Sequence, residues 1–246
     1  MADNTKVYAL IFAGGVGRRM HTNGVPKQFL KIYSKPIIIY TLEHFQNHRM
    51  VDNIIIVCIE NYINQLKDLL KKYDITKVTK IVCGGKTSQD SIYEGLNALN
   101  QIGANKSDIV MIHDGVRPVI TEALITENIK ATKKYGNAIS AAVAIETIGH
   151  KGVENNTIDE IFSRSSCLIA KAPQTFVFGD IYDAHMKAKE NHNENVIDSA
   201  TLMLSYGYKL HYVECATSNI KVTNPIDYYI LKGILKAQES MQIIGV

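Results

Sequence analysis

Short apolar runs alternate with longer segments of helical period through the first half of the chain. Each apolar run has the length of a buried strand, and each longer segment repeats its apolar residues at the spacing of a helix. The predicted strands are residues 7–12, 53–59, 80–83 and 108–113, and the predicted helices are residues 37–46, 63–73 and 88–102. This alternation is typical of an α/β fold with a Rossmann-like, mainly parallel twisted sheet and helices on both faces. In such a sheet we expect a ligand at the carboxyl ends of the strands.

The second half of the chain keeps this rhythm but is interrupted by a predicted hairpin. Residues 138–144 are apolar enough for a central strand, and residues 145–170 hold two β-prone stretches around a Gly- and Asn-rich turn at 149–156. The remaining predicted elements are helices at 179–191, 198–205 and 227–240 and a strand at 209–214. Because no repeat or linker divides the sequence, we expect one domain over residues 1–246 with a protruding β-arm at about 145–170.

Composition narrows the class of protein without naming a function. The 246 residues are 46% hydrophobic and 21% charged, and 27 basic against 24 acidic residues are too balanced for a typical nucleic-acid binder. No stretch approaches the roughly 18 to 20 uninterrupted apolar residues of a membrane span. The four cysteines are widely spaced and form no CxxC pair, which favours small buried residues over zinc or disulfides. We therefore expect a cytoplasmic protein with no membrane and no nucleic-acid partner.

A glycine- and arginine-rich loop, AGGVGRRM at residues 13–20, follows the first predicted strand directly, with Lys27 close behind. Glycines let backbone N–H groups approach a phosphate, and arginine and lysine add charge. The pattern predicts a cradle for a nucleoside triphosphate, although a glycine turn with solvated arginines would give the same sequence. The loop lacks the GxxxxGK[ST] motif, and Met20 replaces the third glycine of a dinucleotide fingerprint. A nicotinamide-dependent oxidoreductase is therefore disfavoured.

With PKQF at 26–29 added, this loop resembles the signature of the sugar-phosphate nucleotidyltransferases, in particular the cytidylyltransferases acting on methylerythritol phosphate and ribitol phosphate. Further matching motifs follow in the same order: GG at 84–85 with DS at 90–91, HDGVRP at 113–118, APQTF at 172–176 and NIKVT at 219–223. The resemblance implies a fold of the nucleotide-diphospho-sugar transferase type. It also implies a reaction in which an acceptor phosphate oxygen attacks the α-phosphorus of CTP and pyrophosphate leaves. Positioning and cationic groups would supply most of that catalysis.

The resemblance also assigns roles to individual residues of this chain. The catalytic cations would be Arg19, Lys27 and Lys221. The nucleotide would be bound by Ala13, Gly14, Gly15, Gly17, Gly84, Gly85 and Ser91. The acceptor would be bound by Asp114, Arg117, Thr147 and Arg164. Asp114 would also bind Mg²⁺, and the arm of each subunit would reach its partner in a homodimer.

The residues alone leave plainer interpretations open. Lys27 can be a solvated loop lysine, Lys221 an exposed lysine on a strand-like segment, and Arg164 a surface charge. Asp114 and Arg117 can be a structural ion pair at a turn. We interpret Asp227 as a carboxylate at the start of a helix, outside the site.

The choice of acceptor depends on smaller differences between the two branches of the family. AGG at 13–15 and GVRP at 115–118 resemble the ribitol-phosphate branch, so the expected acceptor is ribitol 5-phosphate, with methylerythritol 4-phosphate as the alternative. Lys86 and Ser88 stand where relatives commonly carry an acidic residue and an arginine, which leaves the contacts to cytosine open. Lys171 and Ala172 replace the QT or LT usual in both branches. A non-catalytic nucleotide-binding protein is disfavoured, because binding alone does not require the whole charged set.

Overall fold

The computed structural model describes residues 4–15, 24–191 and 196–244, with side chains as far as Ser240. Eleven strands and seven α-helices lie in these ranges. In chain order they are β1 Val7–Ala13, β2 Lys31–Ile32, β3 Lys35–Pro36, α1 Ile37–Asn47, β4 Asn53–Cys58, α2 Ile63–Lys72, β5 Val78–Cys83, α3 Ser88–Gln101, β6 Ile109–Asp114, α4 Glu122–Tyr135, β7 Asn137–Val143, β8 Ile148–Lys151, β9 Ile158–Phe162, β10 Leu168–Val177, α5 Phe178–Glu190, α6 Ser199–Ser205, β11 Tyr212–Glu214 and α7 Pro225–Ile244. Within the described residues, no helix has both the length and the apolar character needed to cross a membrane.

A seven-stranded sheet with the order β11-β7-β10-β6-β1-β4-β5 forms the centre of the molecule. Its pairs are parallel except those of β10, which runs antiparallel to both of its neighbours. From β1 the chain proceeds to β4 and β5 on one side and then to β6 on the other, so the strand order reverses between β1 and β6. A reversal of this kind opens a crevice at the carboxyl ends of the strands. Phe12 pairs with Asp114 there, so the ends of β1 and β6 meet at one edge.

Strand β1 is buried on both faces, which explains its continuous apolar sequence. Ala9 and Ile11 belong to the core beneath α1, α2 and α4, and Tyr8 and Leu10 to the core beneath α3, α5 and α6. Helix α3 comes especially close at Gly95, where an added Cβ would lie 2.4 Å from Leu10 Cδ1. Burying a Leu or Ile side chain stabilises a fold by about 1.5–3 kcal/mol, so this core holds β1 firmly in place.

The predicted α/β architecture is confirmed, and the boundaries of the early strands and helices agree within a few residues. The strand predicted at 209–214 is shorter, and Gly149 lies in β8 rather than in the turn of the hairpin. Residues 168–170 belong to β10 and pair with β7, so the hairpin ends before the predicted limit of 170. Strand β10 was not predicted, because an irregularity between Ala170 and Gln174 breaks its alternation of apolar and polar residues.

Candidate active site

A cleft opens at the carboxyl edge of β1 and β6, where the strand order reverses. Its lining residues come from the beginning, the middle and the end of the chain and are Phe12, Ala13, Gly15, Lys27, Gln28, Ser88, Asp114, Val116, Lys221 and Thr223. Five of them, Ala13, Gly15, Lys27, Asp114 and Lys221, were predicted as site residues. The fold therefore brings the first, third and last sequence motifs to one place.

The first predicted glycines continue β1 into the cleft. The carbonyl oxygen of Ala13 accepts a hydrogen bond of 2.5 Å from Nε2 of the buried Gln28, which fixes the end of the strand. Gly14 lies beside Ser91, since a Cβ added to Gly14 would be 3.6 Å from Ser91 Oγ. Gly15 is exposed and has open space around the position of a Cβ. The predicted residues Gly17 and Arg19 lie outside the described residues.

Lys27 links the segment that follows the glycine loop to the segment that carries Lys221. It opens a short 3₁₀ turn, Lys27–Phe29, and its Nζ donates a hydrogen bond of 2.9 Å to Val222 O. The N–H of Val222 in turn donates to Val116 O at 2.9 Å. These bonds hold the segment that carries Lys221 against the loop after β6.

Asp114 is the centre of the charged cluster. It is only 7% exposed, and its Oδ1 lies 2.6 Å from Lys221 Nζ while its Oδ2 lies 3.2 Å from Arg117 Nε. Burial by itself would raise the pKa of the Asp114 carboxyl, but the charges of Lys221 and Arg117 outweigh it and hold that pKa below its ordinary value. The carboxylate is therefore ionised at neutral pH. The Lys221 side chain is 40% exposed, so its ammonium can also face a ligand in the cleft.

Three buried contacts fix the loop that carries Arg117. Arg117 Nη1 donates to Asn219 O at 2.7 Å, and Thr41 Oγ1 of α1 donates to Gly115 O at 3.1 Å. His113 Nε2 lies 3.0 Å from Arg117 O. Burial lowers the pKa of His113 to about 3, so the ring is neutral and must carry its proton on Nε2 to donate to this carbonyl. Asp114 and Arg117 thus form a structural ion pair whose carboxylate also lines the cleft.

The residues predicted to bind the base and ribose form one unit beside the glycine loop. Gly84 N donates to Cys58 O at 3.0 Å, Gly85 N donates to Ser91 Oγ at 3.1 Å, and Ser91 Oγ donates to Thr87 O at 2.9 Å. A Cβ on Gly85 would lie 2.2 Å from Asp90 Cβ. Because Asp90 completes the capping box that starts α3, only glycine fits at position 85.

Thr147 and Arg164 lie apart from this cleft within a single chain. Thr147 precedes β8, and Arg164 begins a short 3₁₀ turn between β9 and β10; both are exposed. Neither is among the described residues that line the cleft. The hairpin between them exposes apolar side chains, with Val153 99% and Ile158 66% accessible.

Sequence reasoning missed several polar residues that support the site. Gln28, Asn219 and Thr223 occur in the quoted motifs, but their type alone gave no role. Asn219 is 2% exposed and donates through Nδ2 to Ala172 O at 2.8 Å, so it joins β10 to the segment before Lys221. An asparagine two residues before the predicted catalytic lysine is the one signal that could have indicated such a role, because a buried amide must find hydrogen-bond partners.

The prediction that Lys221 lies on a strand-like segment is wrong. Residues 219–223 are irregular, because their carbonyls bind Arg117 and Lys27 instead of a neighbouring strand. Asp227 behaves as predicted, since its Oδ2 accepts from the N–H groups of Thr223 and Asn224 at 2.7 Å each and so caps the start of α7.

Among the described residues a larger cavity, of about 830 Å³, lies between α1 and α7 on another side of the molecule. Four of its charged side chains pair with one another: Lys35 with Glu43 at 2.8 Å and Lys236 with Glu239 at 3.0 Å. The smaller cleft, of about 240 Å³, has the charged cluster and the glycines, so its chemistry makes it the better candidate.

The donor set of the cleft limits how a metal ion could be held. Among the described residues, no group of three or more His, Cys, Asp or Glu side chains could hold a metal by itself. Asp114 is the one acidic residue in the described lining of the cleft. Magnesium commonly takes one or two carboxylates and completes its shell with substrate phosphates and water, so the residues present fit a metal that arrives with a nucleotide.

The sheet with the cationic cleft at its carboxyl edge is that of an α/β nucleotidyltransferase, and comparison with known proteins gives its family. The family model described as IspD, 2-C-methyl-D-erythritol 4-phosphate cytidylyltransferase, matches residues 7–237. The chain belongs to this family and is a cytidylyltransferase. Enzymes of this family generally depend on a divalent metal, and their substrates are CTP and a phosphorylated sugar or polyol.

Individual relatives fall in two groups. A protein of Vibrio parahaemolyticus serotype O3:K6 named ribitol-5-phosphate cytidylyltransferase is 44% identical, over 96% of this chain and 99% of its own. A protein of Clostridium botulinum named 2-C-methyl-D-erythritol 4-phosphate cytidylyltransferase is 38% identical, over 94% of this chain and 98% of its own. The crystal structure of 4-diphosphocytidyl-2C-methyl-D-erythritol synthase from Anaerococcus prevotii superimposes with a TM-score of 0.81 and 26% identity, covering 94% of this chain and 96% of that one.

Proposed function

We propose that this enzyme transfers the cytidylyl group of CTP to D-ribitol 5-phosphate, with Mg²⁺ as its metal, and releases CDP-ribitol and pyrophosphate. The observation that carries the choice of acceptor is the similarity over nearly the whole chain. Identity reaches 44% with a relative named for ribitol 5-phosphate, against 38% with a relative named for methylerythritol phosphate. The AGG and GVRP motifs around the cleft support the same choice.

In the proposed reaction a phosphate oxygen of the acceptor forms a bond to the α-phosphorus of CTP. The bond from that phosphorus to the oxygen bridging to the β-phosphate breaks, and the electron pair leaves with pyrophosphate. Negative charge accumulates on the transferring and leaving groups, so fixed cations lower the barrier. We assign this role to Lys27 and Lys221, which line the cleft, and to Arg19 by resemblance.

Asp114 keeps Lys221 in place and can also bind the metal. Its carboxylate holds Lys221 and Arg117 in fixed positions, so little rearrangement is needed when the phosphates bind. A bound Mg²⁺ would neutralise charge on the phosphate oxygens. Asp114 would hold it from the protein side, with the remaining ligands coming from the nucleotide and water.

The nucleotide would lie along the glycines at the ends of β1 and β5. Gly14, Gly15 and Gly17 let backbone N–H groups approach the triphosphate, and Gly84, Gly85 and Ser91 would contact the base and ribose. The closeness of Gly14 to Ser91 supports this arrangement, because it makes the two stretches one continuous surface. Ser88 also lines the cleft, in place of the arginine that is common in relatives.

We further propose a single domain over residues 1–246 whose arm serves the cleft of a second copy in a homodimer. Thr147 and Arg164 would bind the acceptor phosphate there, because a guanidinium group suits a phosphate dianion. Two features support this: both residues are exposed away from the cleft of their own chain, and the hairpin carries accessible apolar residues that a partner would cover.

Release of pyrophosphate tests the enzymatic role. The purified protein is incubated with CTP and Mg²⁺, with and without ribitol 5-phosphate, and products are identified by mass spectrometry. Pyrophosphate and CDP-ribitol should form together and only when the acceptor is present. Binding of CTP without turnover on any polyol phosphate would instead indicate a non-catalytic nucleotide-binding protein.

A further inference from the structure

Lys171 holds a turn of the chain just ahead of Lys221. It lies on β10 where the pairing of this strand with β7 is irregular. Its Nζ donates to three carbonyl oxygens of that turn, Thr217 O at 2.7 Å, Asn219 O at 3.2 Å and Ala216 O at 3.5 Å. A lysine ammonium has three hydrogens, so these carbonyls account for its donors.

The turn held by Lys171 is also the turn that holds Arg117. The carbonyl oxygen of Asn219 accepts from both Lys171 Nζ and Arg117 Nη1, the latter at 2.7 Å. Arg117 and Lys221 then meet at the two oxygens of Asp114. The contacts therefore run without a break from Lys171 through Asn219 and Arg117 to Asp114 and Lys221.

Besides Lys171, the turn is held by Asn219 Nδ2, which donates to Ala172 O at 2.8 Å, and by two short-range backbone hydrogen bonds. Within it Asn219 N donates to Ala216 O at 3.1 Å and Ile220 N to Ser218 O at 2.7 Å, and the segment forms no strand. The ammonium of Lys171 donates to three carbonyl oxygens of the turn, which would bond to a neighbouring strand if the segment were part of a sheet.

We propose that Lys171 is a positioning residue, whose ammonium fixes the turn at 216–219 so that Arg117 and Lys221 keep their places around Asp114. It acts through these residues and does not touch the substrates. The inference rests on the proposed function only for the identity of the acceptor. The effect of Lys171 on the turn does not depend on that identity. A misplacement of about 1 Å can reduce catalysis about 100-fold, which sets the scale of the expected effect.

The test compares Lys171→Met, Lys171→Arg and the control Lys77→Met. Lys77 is matched because it is also half-buried and also donates to a backbone carbonyl, His48 O at 2.7 Å, but it lies just before β5, an edge strand separated from β10 by three strands. Hydrogen–deuterium exchange is measured on the peptide covering residues 215–224, and kcat and KM are measured for CTP and for the acceptor. Arginine keeps a charged multiple donor at position 171 and should rescue the loss.

We expect Lys171→Met to speed exchange in this peptide, to lower kcat/KM for the acceptor about 10- to 100-fold and to leave KM for CTP within about threefold. Lys171→Arg should recover most of the activity, and Lys77→Met should resemble the wild type in both measurements.

Unchanged exchange in Lys171→Met would overturn the proposal. If activity were lost at the same time, the result would indicate that Lys171 contacts the acceptor directly. Faster exchange with normal kinetics, or an equal loss in Lys77→Met, would also overturn it. A wild type inactive on every acceptor would contradict the proposed function, while exchange would still decide whether Lys171 fixes the turn.

Discussion

Lys221 Nζ lies 2.6 Å from Asp114 Oδ1, although the two residues belong to the last and the third sequence motifs. The contact joins the carboxyl end of a central strand to an irregular segment near the end of the chain. It holds a half-exposed cation beside a buried carboxylate at the mouth of the cleft. Cleavage of a phosphoanhydride bond by fixed charges depends on such an arrangement.

Replacing Asp114 with asparagine should test this arrangement. Asn keeps the shape of the side chain but removes the charge that faces Lys221 and Arg117. Removing one partner of a buried ion pair costs about 3–5 kcal/mol, so the free energy of unfolding should fall. We expect kcat/KM to fall by at least about 100-fold, measured beside urea unfolding. A variant within a few-fold of wild-type activity would remove Asp114 from the site.

Lys27→Ala should abolish most turnover while leaving the fold intact. The lysine lines the cleft, and one of its contacts is the hydrogen bond to Val222 O. Removing one transition-state cation should lower kcat by about 100- to 1,000-fold. Lys130→Ala is the control, because Lys130 is an exposed helical lysine paired with Glu127. Circular dichroism should show the same secondary structure for both variants, and a near-normal kcat for Lys27→Ala would contradict the assigned role.

Mixing two impaired variants, with the acceptor below its wild-type KM, tests whether the arm works across a dimer. Arg164→Ala should raise KM for the acceptor while leaving KM for CTP unchanged, because the arginine is proposed to bind the acceptor phosphate. If arm and cleft come from different chains, a mixed dimer of Arg164→Ala and Lys27→Ala contains one site with both residues intact. Co-expression of the two should therefore restore activity. Failure to restore it in a proven mixed dimer would place Arg164 in its own chain's site or outside any site.

The neutral state of His113 predicts how stability depends on pH. Burial lowers the pKa of His113 from 6.5 to about 3, so the unfolded chain binds a proton on this residue in a range where the folded chain does not. Below pH 6.5 protons therefore favour unfolding, and the free energy of unfolding should fall as the pH drops from 6.5 toward 3.

His113→Asn should flatten this part of the pH profile when the free energy of unfolding is measured by urea at several pH values. His185, whose pKa burial lowers to about 4, adds a similar slope that the variant should retain. An unchanged slope in His113→Asn would show that His113 does not titrate in this way.

Much of the fold was predictable because its signals are local. The apolar run at residues 7–12 indicates a strand buried on both faces, and the motif that contains Asp114 follows another such run. The position of a polar residue after each strand then indicates the edge where a ligand binds. Neither step needs information from distant parts of the chain.

The parts that were missed depend on contacts between distant segments. The irregular course of residues 219–223 is set by Arg117 and Lys27, which lie far away in the sequence. The alternation of β10 is broken near Pro173, so its pattern is not that of a strand. The role of Lys171 likewise depends on carbonyls of another segment, and a residue type alone does not reveal such a partner.

The most direct test of the central claim is a competition between the two acceptors. Equal concentrations of ribitol 5-phosphate and 2-C-methyl-D-erythritol 4-phosphate are incubated in one vessel with the enzyme, CTP and Mg²⁺, and the initial products are counted by mass spectrometry. The ratio of products then equals the ratio of the two kcat/KM values. CDP-ribitol should outnumber the methylerythritol product by at least about 100-fold, since a built polyol pocket discriminates by several kcal/mol. An excess of the methylerythritol product, or equal amounts of both, would contradict the proposed function.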